Sequence, residues 1–156
     1  MTGSTVAVGD IDIRTLLPHR PPMLLVDAVT ELSAGQAPRA TREVRPAEPW
    51  FGDGQPGHPW ALVLESWRHA ASVLAACELR GTLGTDGRAP LFGAVSDARF
   101  GWRPVAGDVM AHRVRLVRAL GNTWMFEGET LIGTDTVLSV GRVTVALRPG
   151  RQPGDR

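Results

Sequence analysis

The chain has 156 residues, 43% of them hydrophobic, and a formal net charge of +1 at neutral pH. This length suits one domain with its own hydrophobic core, and the nearly balanced charge gives no reason to expect a nucleic-acid partner. Residues 1–9 lack the charged and apolar regions of a signal peptide, and no apolar run reaches membrane-spanning length. We therefore expect a cytoplasmic protein without a membrane partner. Its single domain should span residues 10–148, between a disordered leader at 1–9 and a disordered tail at 149–156.

The first third of the chain alternates short candidate elements with proline. Asp10–Leu17 could form a short helix, which ends where Pro18 makes its continuation costly. Met23–Thr30, with Asp27 near its middle, is typical of a strand, and Ala40–Arg45 alternates as a second strand would.

The region from residue 48 to residue 80 changes abruptly from a loop rich in Gly and Pro to a candidate helix at 61–80. That run contains no Gly or Pro and is apolar on nearly every side, which is typical of a buried helix. Its polar residues Glu65, His69 and Ser72 share one stripe at i, i+4 and i+7, with Arg68 beside them. A carboxylate in a core helix is costly unless it is paired or used, so Glu65 is a candidate functional residue.

The second half of the chain is rich in β-structure. Four segments alternate apolar and polar residues and are separated by Gly-containing turns: Leu91–Phe100, Val109–Leu120, Thr123–Ile132 and Thr136–Leu147. Together with the buried helix they predict an α+β fold in which a curved antiparallel sheet wraps around one long central helix.

Four segments resemble one known family: Leu17–Asp27 (LPHRPPMLLVD), Glu48–Phe51, Phe92–Phe100 (FGAVSDARF) and Arg103–Asp108. They stand in the order found in the bacterial (3R)-hydroxyacyl-[acyl carrier protein] dehydratases, which have the hotdog fold. The resemblance implies a dimer with its active sites at the subunit interface. It also implies a substrate acyl chain tethered to acyl carrier protein through phosphopantetheine, with no metal and no cofactor.

The chain departs from this family at the active-site loop. The family carries a His there, in a His-Phe-Pro-Gly motif, which acts as base on the α-carbon, and a Glu on the central helix that helps the β-hydroxyl leave. Glu65 matches the helix Glu, but Gly54 or Phe51 takes the place of the His, depending on where the gap is set. The family's second Pro-Gly, thought to hold the thioester oxygen, is reduced to Pro59 followed by Trp60.

The four histidines were weighed as replacements or as structural residues. His58 could replace the missing base, although it lies closer to Glu65 in sequence than the family's His does, and a His in such a loop is more often a surface residue. His69 takes the place of a Gln and is expected to be a hydrogen-bonded core residue. His19 is expected to help place the N-terminal segment, and His112 is expected to be exposed.

Arg68 offers a different explanation of Glu65, as a structural ion pair without a chemical role. Trp60 and Trp67, seven residues apart on the helix, either fill the core or, with His69, line a reshaped acyl tunnel.

The arginines of the second half have two explanations as well. Arg113 and Arg115, with Arg103 and Arg118 expected nearby, form either a solvated strand face or a docking surface for an acidic carrier protein.

Three hypotheses of function remain. The first is the His-less half of a heterodimeric dehydratase, which gives Glu65 to a partner's His in fatty acid or polyketide/polyene biosynthesis. The second is a self-sufficient dehydratase or isomerase that uses His58 or a rearranged loop. The third is a non-catalytic hotdog module that binds acyl carrier protein or scaffolds a complex. Without a partner subunit the chain is expected to form a homodimer. We favour the first, because Glu65 and most of the flanking motifs are kept while one catalytic residue is lost.

Overall fold

The computed structural model describes residues 13–17, 19–31, 39–51, 57–78 and 88–149. It has two helices and six strands in these ranges: α1 (Ile13–Leu16), β1 (Ala28–Glu31), β2 (Arg39–Glu43), α2 (Trp60–Glu78), β3 (Arg88–Phe100), β4 (Val109–Leu120), β5 (Thr123–Ile132) and β6 (Asp135–Pro149). The strands form one antiparallel sheet in the order β1-β2-β4-β5-β6-β3, against which α2 packs. The predicted α+β fold is therefore confirmed.

The long elements agree with the sequence prediction, and the short ones differ at their ends. The helix and the four C-terminal strands fall within a few residues of the predicted bounds. Asp27 was placed near the middle of a strand, which is wrong, because β1 begins only at Ala28. The predicted leader and nearly all of the predicted tail lie outside the described residues. No helix in the described ranges has the length and apolar character needed to cross a membrane.

The core lies between α2 and the sheet. From Ser66 to Ala75 every side chain of α2 is buried except that of Arg68, which is half-buried. The first turns are more open, since Trp60 and Ala61 are exposed while Leu64 and Glu65 are half-buried. The prediction of a helix buried on all sides thus holds for its second part, whereas the stripe around Glu65 faces outward in the single chain.

The helix is fixed to the sheet at Gly128. The Trp67 indole Nε1 donates to the carbonyl of Arg113 at 3.0 Å, where β4 and β5 pair beside a break in register. A Cβ on Gly128 would come within 1.9 Å of that carbonyl oxygen and 3.0 Å of the indole nitrogen. The sheet therefore accepts Trp67 only because residue 128 has no side chain.

Candidate active site

Glu65 lies early in α2, and two neighbours on the same helix face its two oxygens. Arg68 Nη1 donates to Oε2 at 3.2 Å, and His69 Nε2 lies 3.5 Å from Oε1. The side chain is 31% exposed, so the carboxylate can be reached from outside. The imidazole of His69, which faces Oε1, is the main cause that lowers the pKa of Glu65 below its usual 4.5, and the charge of Arg68 adds to it against the effect of burial. Glu65 is thus ionised at neutral pH.

His69 is buried, as the sequence predicted, and its ring is held by a hydrogen bond at Nδ1. The backbone N–H of Leu25 donates to Nδ1 at 3.2 Å, so Nδ1 must offer its lone pair. In a neutral imidazole the proton then sits on Nε2, which is the atom that faces Glu65. His69 therefore presents this N–H toward the carboxylate, at a separation that does not meet hydrogen-bond geometry.

His19 joins this site from the N-terminal segment. Its ring packs on that of His69 with centroids 4.1 Å apart and planes tilted by 38°. Burial is the main cause that lowers the pKa of His19, followed by His69, while the charge of Glu65 opposes the shift. The sequence suggested only a role in placing the N-terminal segment, and nothing in the LPHR motif shows which helix residue its His would meet.

The three side chains form a possible metal site by distance alone. His19, Glu65 and His69 each place one potential ligand atom within 4.8 Å of the others, and imidazole with carboxylate is a donor set that zinc accepts. A metal needs a lone pair, however, and the Leu25 amide occupies Nδ1 of His69, which leaves the proton on Nε2. The trio fits a proton-handling site better than a metal site. The absence of a metal stays a prediction.

A buried chain of hydrogen bonds lies behind His69. Thr130 Oγ1 and Ser66 Oγ flank the His112 ring, at 2.7 Å from Nδ1 and 2.6 Å from Nε2. Ser66 gives its single proton to the Leu25 carbonyl at 2.5 Å, so it accepts from His112 Nε2. Burial lowers the pKa of His112 to about 3, which keeps the ring neutral and lets Nδ1 accept from Thr130. The peptide groups of Leu25 thus contact both this chain and His69.

The expected exposure of His112 is wrong, and the reason lies in the alternation of β4. His112 faces the core between Met110 and Val114, all three fully buried, whereas Arg113 and Arg115 point outward. The period of two visible in the sequence therefore assigns His112 to the core face. The prediction of exposure followed from the polar side chain, since a buried imidazole needs hydrogen-bond partners that the sequence does not display.

His58 lies in a different cluster, formed by the loop before α2. It is fully buried, so the expectation of a surface residue is wrong. Trp50 Nε1 donates to its Nδ1 at 3.1 Å, Glu48 Oε2 lies 3.8 Å from the same nitrogen, and its backbone N–H donates to the Pro104 carbonyl at 2.7 Å. Burial chiefly, and then the nearby charge of Arg42, lowers the pKa of His58 to about 4. The ring is therefore neutral, with Nδ1 occupied.

The His58 cluster rests on an ion network that no sequence pattern predicted. Arg42 contacts Glu48 at 2.6 Å and Asp27 at 3.1 Å, and its side chain is nearly inaccessible to solvent. Arg45 adds a second contact to Asp27 at 3.0 Å. These pairs join β2 to the segment before β1 and to Glu48, whose other carboxylate oxygen lies 3.8 Å from His58 Nδ1.

Trp60 and Trp67 have different environments. Trp67 is fully buried in the core, whereas Trp60 is 41% exposed at the start of α2. The Trp60 ring packs near Phe100, lies under the Arg103 guanidinium at 4.3 Å, and donates Nε1 to the carbonyl of Gly101 at 3.3 Å. A tunnel lined by Trp60, Trp67 and His69 stays a prediction.

The predicted docking arginines do not form one group. Arg113 and Arg115 share the exposed face of β4, but each faces a carboxylate on β5: Glu129 at 3.5 Å and Glu127 in close contact. Arg103 is instead engaged with Trp60 at the end of β3. These pairings offset the positive charge that an acidic partner would meet, and docking at Arg103, Arg113 and Arg115 stays a prediction.

Solved structures of similar shape define the class of the chain as the hotdog fold. The dehydratase heterocomplex ApeI:P from Xenorhabdus doucetiae superposes with a TM-score of 0.72 at 15% identity, covering 88% of this chain and 91% of the other. The PaaI protein from the phenylacetic acid degradation operon of E. coli superposes with a TM-score of 0.59 at 16% identity, covering 78% and 82%. At these identities the likeness concerns the fold alone.

Sequence comparison is more specific. The FabA-like domain model matches residues 17–141, so the chain belongs to the FabA-like family. It is 32% identical to the 3-hydroxyacyl-[acyl-carrier-protein] dehydratase FabZ of Natranaerobius thermophilus over 140 residues, which cover 87% of this chain and 94% of that protein. It is 31% identical to the FabZ of Ralstonia nicotianae over an alignment of 158 positions, gaps included, which covers 97% of this chain and 95% of that protein. The resemblance noted in the sequence is thus confirmed.

Proposed function

We propose that this chain is a cytoplasmic subunit of a 3-hydroxyacyl-[acyl carrier protein] dehydratase that gives Glu65 to an active site shared with a His-bearing hotdog partner. The observation that carries the proposal is Glu65 itself. By the sequence resemblance it matches the family's helix carboxylate, Arg68 donates to one of its oxygens while His69 faces the other, and it lies on the partly exposed stripe of α2. Fatty acid or polyketide biosynthesis is the corresponding pathway.

The ionised state of Glu65 decides which proton the reaction uses. The partner's imidazole takes the proton from the α-carbon as the double bond forms, and the β-hydroxyl leaves with that same proton as water. Glu65, already a carboxylate, accepts the hydrogen bond of the β-hydroxyl and holds its oxygen toward the imidazolium. The bonds broken are the α C–H and the β C–O, and no further proton is needed. This differs from the acid role that the resemblance assigns to the helix carboxylate.

The two other hypotheses find less support in the geometry. A self-sufficient enzyme needs His58 as base, but this ring is fully buried and its Nδ1 accepts from Trp50. A non-catalytic binding module does not need a partly exposed carboxylate held in one orientation by a cation and an imidazole. Both alternatives are outcomes of the experiment that follows.

Reconstitution tests the proposal. The purified chain alone should dehydrate a 3-hydroxyacyl carrier-protein substrate very slowly, because a missing base costs ~10²–10⁴-fold. Mixing it with a hotdog dehydratase subunit that carries the loop His should restore turnover, and native mass spectrometry should show the mixed dimer. Turnover by the chain alone would favour the self-sufficient enzyme. Binding of acyl carrier protein without turnover in any mixture would favour the module.

A further inference from the structure

His69 connects the Glu65 carboxylate to a hydrogen-bonded chain that begins in the sheet. Thr130 donates to His112, His112 to Ser66, and Ser66 to the Leu25 carbonyl. The N–H of the same residue, Leu25, donates to Nδ1 of His69. The donor and acceptor of each of these hydrogen bonds are thereby assigned. Beyond them, the Nε2–H of His69 faces Glu65 Oε1 at 3.5 Å without forming a hydrogen bond in this structure.

We propose that His69 is a positioning residue for Glu65: the Leu25 amide fixes its tautomer, and its Nε2–H sets the orientation in which the carboxylate meets the substrate. The position belongs to a Gln in the resembled family, so an imidazole held in one tautomer is a feature of this chain. The part of the proposal that concerns the substrate rests on the proposed function, whereas the part that concerns Glu65 does not.

The surroundings of His69 restrain its ring. The His19 ring packs on its face at 4.1 Å, which opposes rotation of the imidazole. The charged or titratable groups facing it are His19 from the N-terminal segment, Glu65 and Arg68 from α2, and His112 from β4. The 3.5 Å separation between His69 Nε2 and Glu65 Oε1 is long for a hydrogen bond in this uncovered site. Such contacts commonly shorten when substrate closes the site.

A purely structural His69 would serve only to satisfy the Leu25 amide and fill the core. Two substitutions separate this role from positioning. Asn places an acceptor where Nδ1 lies and is too short to reach Glu65, so H69N keeps the structural contact alone. Gln is longer and can place an N–H where Nε2–H lies, so H69Q keeps the contact with the carboxylate. The two variants differ by one methylene.

Nuclear magnetic resonance gives a readout that does not depend on activity. In the wild-type chain the ¹⁵N shifts of His69 should show a neutral ring with the proton on Nε2. The carboxyl ¹³C signal of Glu65, assigned by its loss in Glu65→Gln, should titrate at higher pH in H69N than in the wild type, with H69Q between them. A proton on Nδ1, or an equal Glu65 titration in all three proteins, would overturn the proposal.

Turnover in the reconstituted mixture gives the second readout. H69N should lower kcat by up to ~10²-fold with a smaller change in KM, as expected for a misplaced catalytic group, and H69Q should recover much of the loss. Equal losses in both variants would overturn the proposal. If H69N fails to fold, the tautomer of His69 in the wild-type chain and the measurements on H69Q still test the proposal. If Glu65 titrates in the three proteins as expected but no mixture dehydrates substrate, the positioning role of His69 stands and the proposed function is wrong.

Discussion

At the scale of single residues, the ionised state of Glu65 follows from one turn of helix. Arg68 and His69 stand three and four positions after it and therefore lie on the same face. An ion pair with Arg68 was considered as an alternative to a chemical role, and the structure contains that pair. The two roles are compatible, because the contact that stabilises the charge leaves the carboxylate partly exposed.

The pH dependence of turnover tests which form of Glu65 works. Its pKa is lowered, so the carboxylate is present from neutral pH down to a pH below the usual 4.5. We expect kcat/KM of the mixture to show no loss from Glu65 until the pH falls through this lowered pKa. An acid role predicts the opposite, namely activity that requires protonated Glu65 and declines as the pH rises. Rates measured between pH 4 and 8 distinguish the two profiles. The pH profile of the partner subunit alone is the control for the titration of the partner's own His.

His58 gives a prediction about stability. Its pKa is lowered to about 4 from the usual 6.5, so folding favours the neutral ring. The unfolded chain binds this proton below pH 6.5 while the folded chain does not, so stability should fall as the pH drops from 6.5 to about 4. His58→Ala should flatten that slope and lower the free energy of unfolding at pH 7 by ~2 kcal/mol through lost packing.

The same variant separates His58 from the chemistry. Turnover of the reconstituted mixture should survive His58→Ala, apart from the loss due to unfolding. Denaturant melts at several pH values and rates on the same preparations provide the comparison. A selective ~10²–10⁴-fold loss of turnover in a folded variant would make His58 the base and contradict the account.

The residues of the site could be predicted from sequence only where a local pattern carries the information. Helical spacing brought Glu65, Arg68 and His69 together correctly. Ser72, on the same predicted stripe, instead donates to the carbonyl of Arg68 within the helix. The approach of His19 depends on how the N-terminal segment crosses α2, which is a long-range contact with no local signature.

At the scale of elements, the position of α2 depends on the pairing of β4 with β5 at Gly128. Gly128→Ala should lower the free energy of unfolding by ~3 kcal/mol, because the new Cβ would meet the Arg113 carbonyl oxygen at 1.9 Å and backbone must move. Gly93→Ala on β3 is the matched control, since its nearest contact would be an ordinary 3.4 Å. Chemical denaturation of both variants measures the difference. Equal stability would show that Trp67 docks differently.

The strands with a long alternation of apolar and polar residues were predicted well from the sequence. The strands β3 to β6 run 10 to 15 residues. Gly121 and Gly133 lie in the turns between successive strands and have positive φ, as these tight connections require. The strands β1 and β2 have only four and five residues, and their ends were misplaced. Arg42 of β2 pairs with Asp27 just before β1 and with Glu48 beyond the end of β2, and these contacts between elements leave no mark in the alternation of either strand.

At the scale of the whole molecule, the single chain leaves surfaces that a second subunit would cover. The strand β3 stands at one edge of the sheet, and its side chains from Gly93 to Phe100 are exposed except for the half-buried Ala98. An open edge of this length readily pairs with another strand. Phe100 is exposed at the end of β3, and Trp60 is exposed beside it at the start of α2, close to the outward stripe of that helix. A dimer formed here would bury ~1,000 Å² or more.

The most direct test of the central claim is Glu65→Gln in this chain, measured in the mixture with an unaltered His-bearing partner. Glu129→Gln is the matched control, because it makes the same change at an arginine-paired strand residue away from the site. Circular dichroism and dimer mass must be unchanged, since Arg68 loses its charged partner in the variant. The account predicts that turnover falls by ~10²-fold or more with Glu65→Gln and is kept with Glu129→Gln. A fully active, correctly assembled Glu65→Gln mixture would show that the partner's own carboxylate performs the reaction.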